Sequence, residues 1–129
     1  MEKHFLTLQT SVAAEDLRER LRPREPWAIR VDFSNGVSTK DLTRRTPFDE
    51  QPLTRFSMVE GATPFAEISG SRLLDVGCNG CYNCARAAQK YGLSCTGIDF
   101  VPRHIEISRF LSGTADISAE FFIASAETF

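Results

Sequence analysis

The sequence predicts an α/β fold built on a partial doubly wound parallel sheet, preceded by an extension that contains a helix and a hairpin. From residue 71 onward, three short apolar segments alternate with two helical segments, and the connections are long enough for crossovers between parallel strands. A glycine-rich turn directly follows the first apolar segment. Residues 1–70 lack this alternation, so we divide the chain into an N-terminal extension (1–70) and an α/β unit (71–129).

The N-terminal extension contains one predicted amphipathic helix, over residues 11–22. Val12, Leu17 and Leu21 recur there among charged residues, and Pro23 ends the pattern. Arginines also recur between positions 18 and 24, but acidic residues are interleaved with them and neutralise the stripe. We therefore expect a surface helix that packs its apolar side on the rest of the domain.

A β-hairpin and a connector complete the predicted extension. In residues 26–39, apolar side chains alternate with polar or small ones, and Asn35-Gly36 supplies a turn that tolerates positive φ. Residues 38–70 are rich in Thr, Pro, Asp and Arg, which predicts an irregular connector anchored by its scattered phenylalanines. Prolines at positions 47, 52 and 64 argue against a long uninterrupted helix.

The strands of the α/β unit are predicted over residues 71–76, 94–99 and 119–124. An alanine-rich helix over residues 81–91 joins the first two strands. The second helix starts at Pro102, which suits a first helical turn, and stops before Gly113. This order predicts parallel pairing through right-handed crossovers, which is one half of a doubly wound sheet.

Length, charge and hydropathy set limits on the function. The 129 residues correspond to a single domain. The formal net charge of −2 supplies no global attraction to nucleic acid. No apolar run reaches the roughly 18 residues of a membrane span, and the N-terminus lacks the features of a targeting leader. We therefore expect a cytoplasmic protein with no membrane partner.

The turn after the first strand has the features of an anion-binding site. Gly77 and Gly80 remove side chains where the backbone must bend and approach a ligand, and the N-terminus of the following helix presents unpaired N–H groups. A carboxylate and a phosphate both suit such a turn. Asp99 ends the second strand, where an acid can accept hydrogen bonds from both hydroxyls of a ribose. The pattern therefore indicates a ligand that contains a nucleoside.

The α/β unit also contains three segments in a fixed order, which read LLDVGCNGCYN, TGIDF and FFIASAETF. They resemble the first three signature segments of class I S-adenosylmethionine-dependent methyltransferases, a family with a Rossmann-like fold. The likeness covers residues 71–129. Because Asp75 directly precedes Val76-Gly77, the turn has the form D-x-G-x-x-G rather than the G-x-G-x-x-G of dinucleotide-binding loops. The resemblance thus favours S-adenosylmethionine over NAD as the cofactor.

The resemblance implies that ten residues surround the methyl donor. They are Asp75, Gly77, Cys78, Asn79, Gly80, Cys81, Asp99, Phe100, Ala126 and Glu127. Asp75 and the Gly77 backbone would hold the donor's amino group, and the turn 78–81 would pass beneath its carboxylate. Asp99 would take the ribose hydroxyls, Phe100 would pack on adenine, and the last two members would border the purine edge.

The acceptor is less specified than the donor. Residues 26–39, read with LLDVGCNG after a connector, resemble the layout of tRNA wobble-uridine methyl and carboxymethyl transferases. This short likeness makes a tRNA base a candidate acceptor beside a small metabolite. No residue is assigned as the catalytic base. Two positions depart from the family pattern, Cys81 in place of glycine and Ser125 in place of aspartate. They support an alternative, a non-catalytic interaction module derived from the same fold.

Four cysteines support a further alternative, a metal or redox domain. The spacing of Cys78, Cys81 and Cys84 approximates an iron–sulfur run, but the fourth cysteine and proline of such a run are missing. At helical spacing Cys84 faces the sheet, and Cys95 lies within a buried strand. We therefore expect four small buried side chains and no metal.

The edge of the predicted sheet is the last feature of note. In a doubly wound sheet a further strand lies beside the first strand, whereas this chain ends at Phe129, just after the third. An uncovered strand edge is prone to pairing with another chain. We expect the N-terminal hairpin, a second copy of the chain or a partner to cover it.

Overall fold

A computed structural model describes residues 6–25, 27, 30–42, 51–68 and 70–128, without the side chains of residues 41 and 51–55. Within these residues the strands are β1 (Leu6–Leu8), β2 (Val31–Phe33), β3 (Arg72–Val76), β4 (Ser94–Asp99) and β5 (Ala119–Ile123). The α-helices are α1 (Ala14–Leu21), α2 (Gln51–Ala62), α3 (Tyr82–Tyr91) and α4 (Pro102–Thr114). Two short 3₁₀ helices cover Arg22–Arg24 and Thr39–Leu42. None of the helices in this described part is long and apolar enough to cross a membrane.

The α/β unit has the predicted topology. Its strands form a parallel sheet in the order β3-β4-β5, and α3 and α4 connect them in turn. The strand boundaries agree with the prediction to within one residue. The predicted end of the second helix is wrong, because α4 continues through Gly113 to Thr114. The helix continues although a glycine costs roughly 1 kcal/mol inside a helix: Ala115 N–H donates to Leu111 O, and Thr114 is buried.

The two faces of this sheet differ in burial. On the face toward the helices, Gly97 lies between Asp75 and Phe121 in the strand register. A side chain at Gly97 is excluded by contact, since a Cβ there would lie 2.6 Å from the Phe121 ring. The alternating residues Leu74 and Val76 lie on the opposite face and are 50% and 55% exposed. The main core therefore lies between the sheet and its helices.

The outer edge at β5 is partly covered. The carbonyl of Ser118 and the N–H of Ala124 hydrogen-bond to β4. Because successive residues of a parallel strand bond alternately to one side and the other, the Phe121 carbonyl points away from β4. Arg109 of α4 donates to that carbonyl from Nε at 3.0 Å and from Nη2 at 2.7 Å. The Arg109 guanidinium thus occupies the Phe121 carbonyl, which an additional strand would need for pairing with β5.

The outer edge at β3 has no strand beside it among the described residues. Ser71 O and Gly77 N bond to β4, so the backbone groups of Leu74 and Val76 face outward. The predicted uncovered edge is therefore present in the described part of the chain, and the described residues of the N-terminal extension do not pair with it.

The N-terminal extension packs on the outer side of the helices. Leu6, Leu8, Leu17 and Leu21 are all buried in the same core. Gln89 of α3 donates to Thr7 O at 2.8 Å and accepts from Gln9 N at 3.1 Å. The predicted amphipathic helix is confirmed as α1.

The predicted hairpin is present only in part. Gly36 N–H donates to Phe33 O, and Asp32 and Ser38 form an isolated antiparallel bridge across this turn. No second hairpin strand forms in the described residues; instead β2 pairs in parallel with β1, residue Leu6 opposite Val31. Ala28 and Ile29 of the predicted strand lie outside the described residues.

The prediction of an irregular connector over residues 38–70 is wrong in its middle, where α2 lies. Pro52 occupies the second position of α2, where no intrahelical N–H bond is lost, and Pro64 follows its end. These two prolines therefore border the helix, whereas Pro47 and Phe48 of the predicted connector lie outside the described residues. Aromatic anchoring is confirmed, since the Phe65 ring stacks on Phe56 and Tyr91 with centroid distances of 6.1 and 5.0 Å.

Candidate functional site

The glycine turn, residues 77–81, connects β3 to α3 at the carboxyl end of the sheet. Gly77 has φ of +73°, and two non-glycine residues, Asn79 and Cys81, also have positive φ, of +50° and +69°. The N–H groups of Gly77 and Cys78 both donate to Ile98 O, at 2.8 and 3.0 Å. The turn is therefore fixed against the end of β4 and bent as the sequence predicts.

Asp99 joins β4 to this turn. Its carboxylate is buried and accepts from Asn79 N at 3.0 Å and from Val101 N at 2.9 Å. His104 Nδ1 lies 3.3 Å from Asp99 Oδ1, close enough for electrostatic attraction but without hydrogen-bond alignment. Burial raises the pKa of Asp99, but the two N–H donors and His104 outweigh it and leave the pKa lowered. Asp99 is therefore ionised at neutral pH.

The pKa of Asp75, at the base of the turn, is shifted in the opposite direction. Burial raises its pKa, a hydrogen bond from Asn83 opposes that rise, and the charge of Asp99 adds to it. Oδ2 of Asp75 is buried and has no hydrogen-bond partner among the described residues. A buried carboxylate oxygen without a partner is costly, and a cationic or hydrogen-bond-donating ligand would relieve that cost.

Cys81 shows how the turn departs from the family pattern. It occupies the N-cap of α3 in the left-handed region, and its side chain is 0% exposed. Burial, with the nearby Cys78 and Cys95, raises its pKa to about 12, so the thiol is neutral. The sulfur therefore lies in the core, and Cys81 as a whole is buried.

The remaining candidates lie at the same end of the sheet. Phe100 follows Asp99 and is 77% exposed. Ala124 N–H donates to Asp99 O, which brings the end of β5 beside the end of β4. Ala126 and Glu127 follow there in an exposed turn, which Ser125 closes through its hydroxyl contact with Thr128 at 3.0 Å.

All four cysteines are free and buried. Cys95 Sγ lies 3.5 Å from Cys84 O, a contact with backbone, and burial is the fate that the helix and strand spacing predicts. Across the described residues, no group of three or more His, Cys, Asp and Glu side chains is arranged to hold a metal ion.

The sequence predicts no donor-binding role for three residues that contact this site: Asn83, His104 and Ser108. Asn83 faces Asp75 from the first turn of α3, and His104 faces Asp99 from α4. The Ser108 hydroxyl lies 2.7 Å from Asn79 O. Its only sequence signal is a serine between Ile105 and Leu111 on the apolar side of α4, which alone does not indicate a site.

Several solved structures share this architecture. A structure of the N-terminal domain of EvdMO1, determined in the presence of S-adenosylhomocysteine (SAH) and D-fucose, has a TM-score of 0.66 and 20% identity. Coclaurine N-methyltransferase, bound to N-methylheliamine and SAH, has a TM-score of 0.53 and 22% identity. The bifunctional kinase-methyltransferase WbdD has a TM-score of 0.50 and 25% identity. The chain has part of a class I methyltransferase fold.

The similarity to methyltransferase structures is partial in length. The matches cover 89%, 67% and 66% of this chain, respectively, but only 46%, 26% and 18% of the other chains. This chain thus spans less than half of each of them. No family model matches the sequence, and no curated protein matches it either. In this methyltransferase fold the predicted signature segments are β3 with the glycine turn, the end of β4, and β5 with the turn after it.

Proposed function

We propose that this chain binds S-adenosylmethionine at the glycine turn and is the donor-binding part of a methyltransferase. The observation that carries the proposal is the buried, unpartnered Oδ2 of Asp75 at the base of the turn. A donor amino group placed there supplies the missing positive charge and hydrogen bond. The fold similarity supports this choice of ligand, since structures that share the fold were determined with SAH.

The other proposed contacts follow from the same geometry. Asp99 Oδ2 accepts one described hydrogen bond, from Asn79 N, and a carboxylate oxygen can accept a second, here from a ribose hydroxyl. The exposed ring of Phe100 offers a stacking surface for adenine. The backbone of residues 78–81 faces the donor's carboxylate, and Ala126 and Glu127 border the purine edge. These ten positions remain a proposal for the site.

The chemistry requires little covalent assistance from the protein. The sulfonium donor supplies an activated methyl group, which an acceptor nucleophile attacks in line. The residues of this chain would bind and orient the donor, while burial around Asp75 and Asp99 limits the access of water. The proposal assigns no general base.

For the acceptor, we favour a small metabolite over a tRNA base. Arg20 and Arg22 pair with acids on the same side of the helix, at 2.8 and 2.9 Å, and Arg24 pairs with Glu106 at 2.8 Å. The arginine stripe therefore carries little free positive charge for a phosphate backbone. The stripe was predicted to be neutralised in this way.

The uncovered β3 edge supports a second candidate function, a non-catalytic interaction module, and a second copy of the chain is the partner we propose for that edge. Cytoplasmic location stays a prediction from the sequence. The two functions differ in their dependence on the donor. A donor-binding protein binds SAH as a monomer or as an oligomer, whereas an interaction module associates without regard to SAH.

The deciding experiment is calorimetric titration of the full chain with SAH, with adenosine as a second ligand. We expect micromolar affinity for SAH and much weaker binding of adenosine, because adenosine lacks the amino group that Asp75 would hold. Sedimentation with and without SAH then reports the oligomeric state. Absence of binding at millimolar SAH rejects the donor proposal and leaves the interaction module.

A further inference from the structure

We infer that Ser108 is a positioning residue that holds the glycine turn in the shape the donor requires. The expected effect on donor affinity rests on the proposed function. The effect of Ser108 on the shape of the turn can be tested without the donor. Ser108 lies in the middle of α4 and is fully buried. It is one of the few polar side chains on the apolar side of that helix.

The Ser108 hydroxyl reaches two carbonyls. Oγ lies 2.7 Å from Asn79 O in the turn and 2.8 Å from His104 O, one turn back in its own helix. A serine hydroxyl carries one proton, so it shares that proton between the two acceptors or donates to one of them. The bond to His104 O is the ordinary local bond of a helical serine. The contact with Asn79 instead joins α4 to a segment 29 residues away.

Asn79 is the residue for which this contact matters. It has φ of +50°, in the left-handed region that most non-glycine residues avoid and that asparagine tolerates better than other side chains. Its N–H donates to Asp99 Oδ2 at the end of β4, and its carbonyl receives Ser108 Oγ from α4. Both polar backbone groups of Asn79 are thus bound to fixed elements of the α/β unit. These two bonds hold the turn in its left-handed conformation at Asn79.

The two hydrogen bonds of Asn79 link the turn to both sides of the proposed donor site. The carboxylate that would grip the ribose is also the acceptor for Asn79 N, so a change in the turn moves the two halves of the site relative to each other. Loss of the Ser108 hydroxyl leaves Asn79 O with only a long side-chain contact, from Cys78 Sγ at 3.9 Å. The energy of an average hydrogen bond corresponds to about a fivefold change in an equilibrium constant.

Ser112 provides a matched control on the same helix. It is also buried, and its hydroxyl donates to Arg109 O at 3.2 Å, within α4. Ser112→Ala therefore removes a buried hydroxyl and a local helix bond without touching the turn. Ser108→Cys is the second test variant, since it keeps the side-chain volume close to that of serine with a weaker donor.

The experiment compares wild type with Ser108→Ala, Ser108→Cys and Ser112→Ala by hydrogen exchange of the Asn79 and Gly80 amides, SAH titration and thermal unfolding. We expect Ser108→Ala to accelerate Asn79 exchange and to weaken SAH binding, each about fivefold, with Ser108→Cys between it and wild type. Ser112→Ala should leave both quantities within about twofold of wild type.

The outcomes separate the two proposals. If Ser108→Ala and Ser112→Ala give equal Asn79 exchange, the inference is overturned whether or not SAH binds. If Ser108→Ala accelerates exchange but wild type does not bind SAH, the proposed function fails and the hold of Ser108 on the turn stands. If Ser108→Ala does not fold, Ser108→Cys supplies the same comparison with Ser112→Ala.

Discussion

Asp75→Asn tests the candidate site through stability and binding together. Burial raises the pKa of Asp75, so the ionised side chain destabilises the folded state at pH 7. Asparagine removes the charge and its repulsion with Asp99, and it keeps an oxygen that can accept from Asn83. The same substitution removes the charge that would hold the donor's amino group. We therefore expect a more stable protein that binds SAH less well.

The magnitude follows from the unpartnered Oδ2 of Asp75. A buried polar group without a partner costs about 1–3 kcal/mol, and the uncharged amide nitrogen that replaces it retains part of that cost. We expect a net gain of about 1 kcal/mol, which corresponds to a rise in melting temperature of about 3–5 °C for a domain of this size. Loss of a hydrogen bond between charged groups should weaken SAH binding about tenfold or more.

Asp32→Asn is the matched control, with the opposite sign for stability. Burial raises the pKa of Asp32, but bonds from Arg30 at 2.9 Å and Ser38 at 2.6 Å outweigh it and lower the pKa. Its stabilisation is present above the unfolded pKa and is lost as the pH falls through the folded pKa. Asp32→Asn should therefore lower the melting temperature at pH 7 and leave SAH binding unchanged.

Thermal unfolding at several pH values, with SAH titration at pH 7, measures both variants. The cost of Asp75 is present above its raised folded pKa and disappears as the pH falls toward the unfolded value near 3.8. The advantage of Asp75→Asn should shrink over the same interval. A variant that is less stable than wild type at pH 7 and binds SAH equally well would refute the electrostatic account of Asp75.

Three further predictions concern the turn and the sheet edge. Phe100→Ala should weaken SAH binding about tenfold, because base–aromatic stacking contributes about 1–3 kcal/mol. The melting temperature should not change, since the ring is 77% exposed. An unchanged SAH affinity would contradict the stacking role of Phe100. In urea unfolding, Cys81→Gly should be about 1 kcal/mol more stable than Cys81→Ala, because φ is +69° there; the reverse order would show that Cys81 is not left-handed. Arg109→Ala should increase self-association in sedimentation velocity by freeing the Phe121 carbonyl, and identical profiles would show that Arg109 does not protect that edge.

The elements of the α/β unit were predictable because their signals are local. Each strand is a short apolar run, and the turn at Gly77 and the acid at Asp99 mark where two of them end. The pairing of β1 with β2 was not predictable, because strands of three residues show no periodicity and their partners lie 25 residues apart. Helix α2 was missed because Pro52 was treated as a helix breaker, although its position in the first turn tolerates proline.

The sequence predicted the residues of the candidate site that lie at the ends of strands, but not the residues that hold them in place. Asp75, the turn and Asp99 meet at one end of the sheet because parallel strands bring their carboxyl ends together. The contact between Ser108 and Asn79 depends on the rotation of α4 about its axis, which packing sets. The left-handed conformation of Cys81 was likewise not predictable, because cysteine rarely adopts positive φ, whereas Asn79 is of a residue type that tolerates it.

The unequal margins of the three-stranded sheet limit how copies of this chain can associate. As far as the structure describes the chain, each copy has one accessible margin, at β3, and one that a guanidinium obstructs, at β5. Two copies that join through their β3 margins consume both, and the combined sheet then ends at two obstructed margins. Such a contact is self-complementary and closes, in contrast to a head-to-tail contact, which propagates into a filament. A pair of copies joined as proposed above would therefore close, while Arg109 stays in place, rather than extend into a fibre.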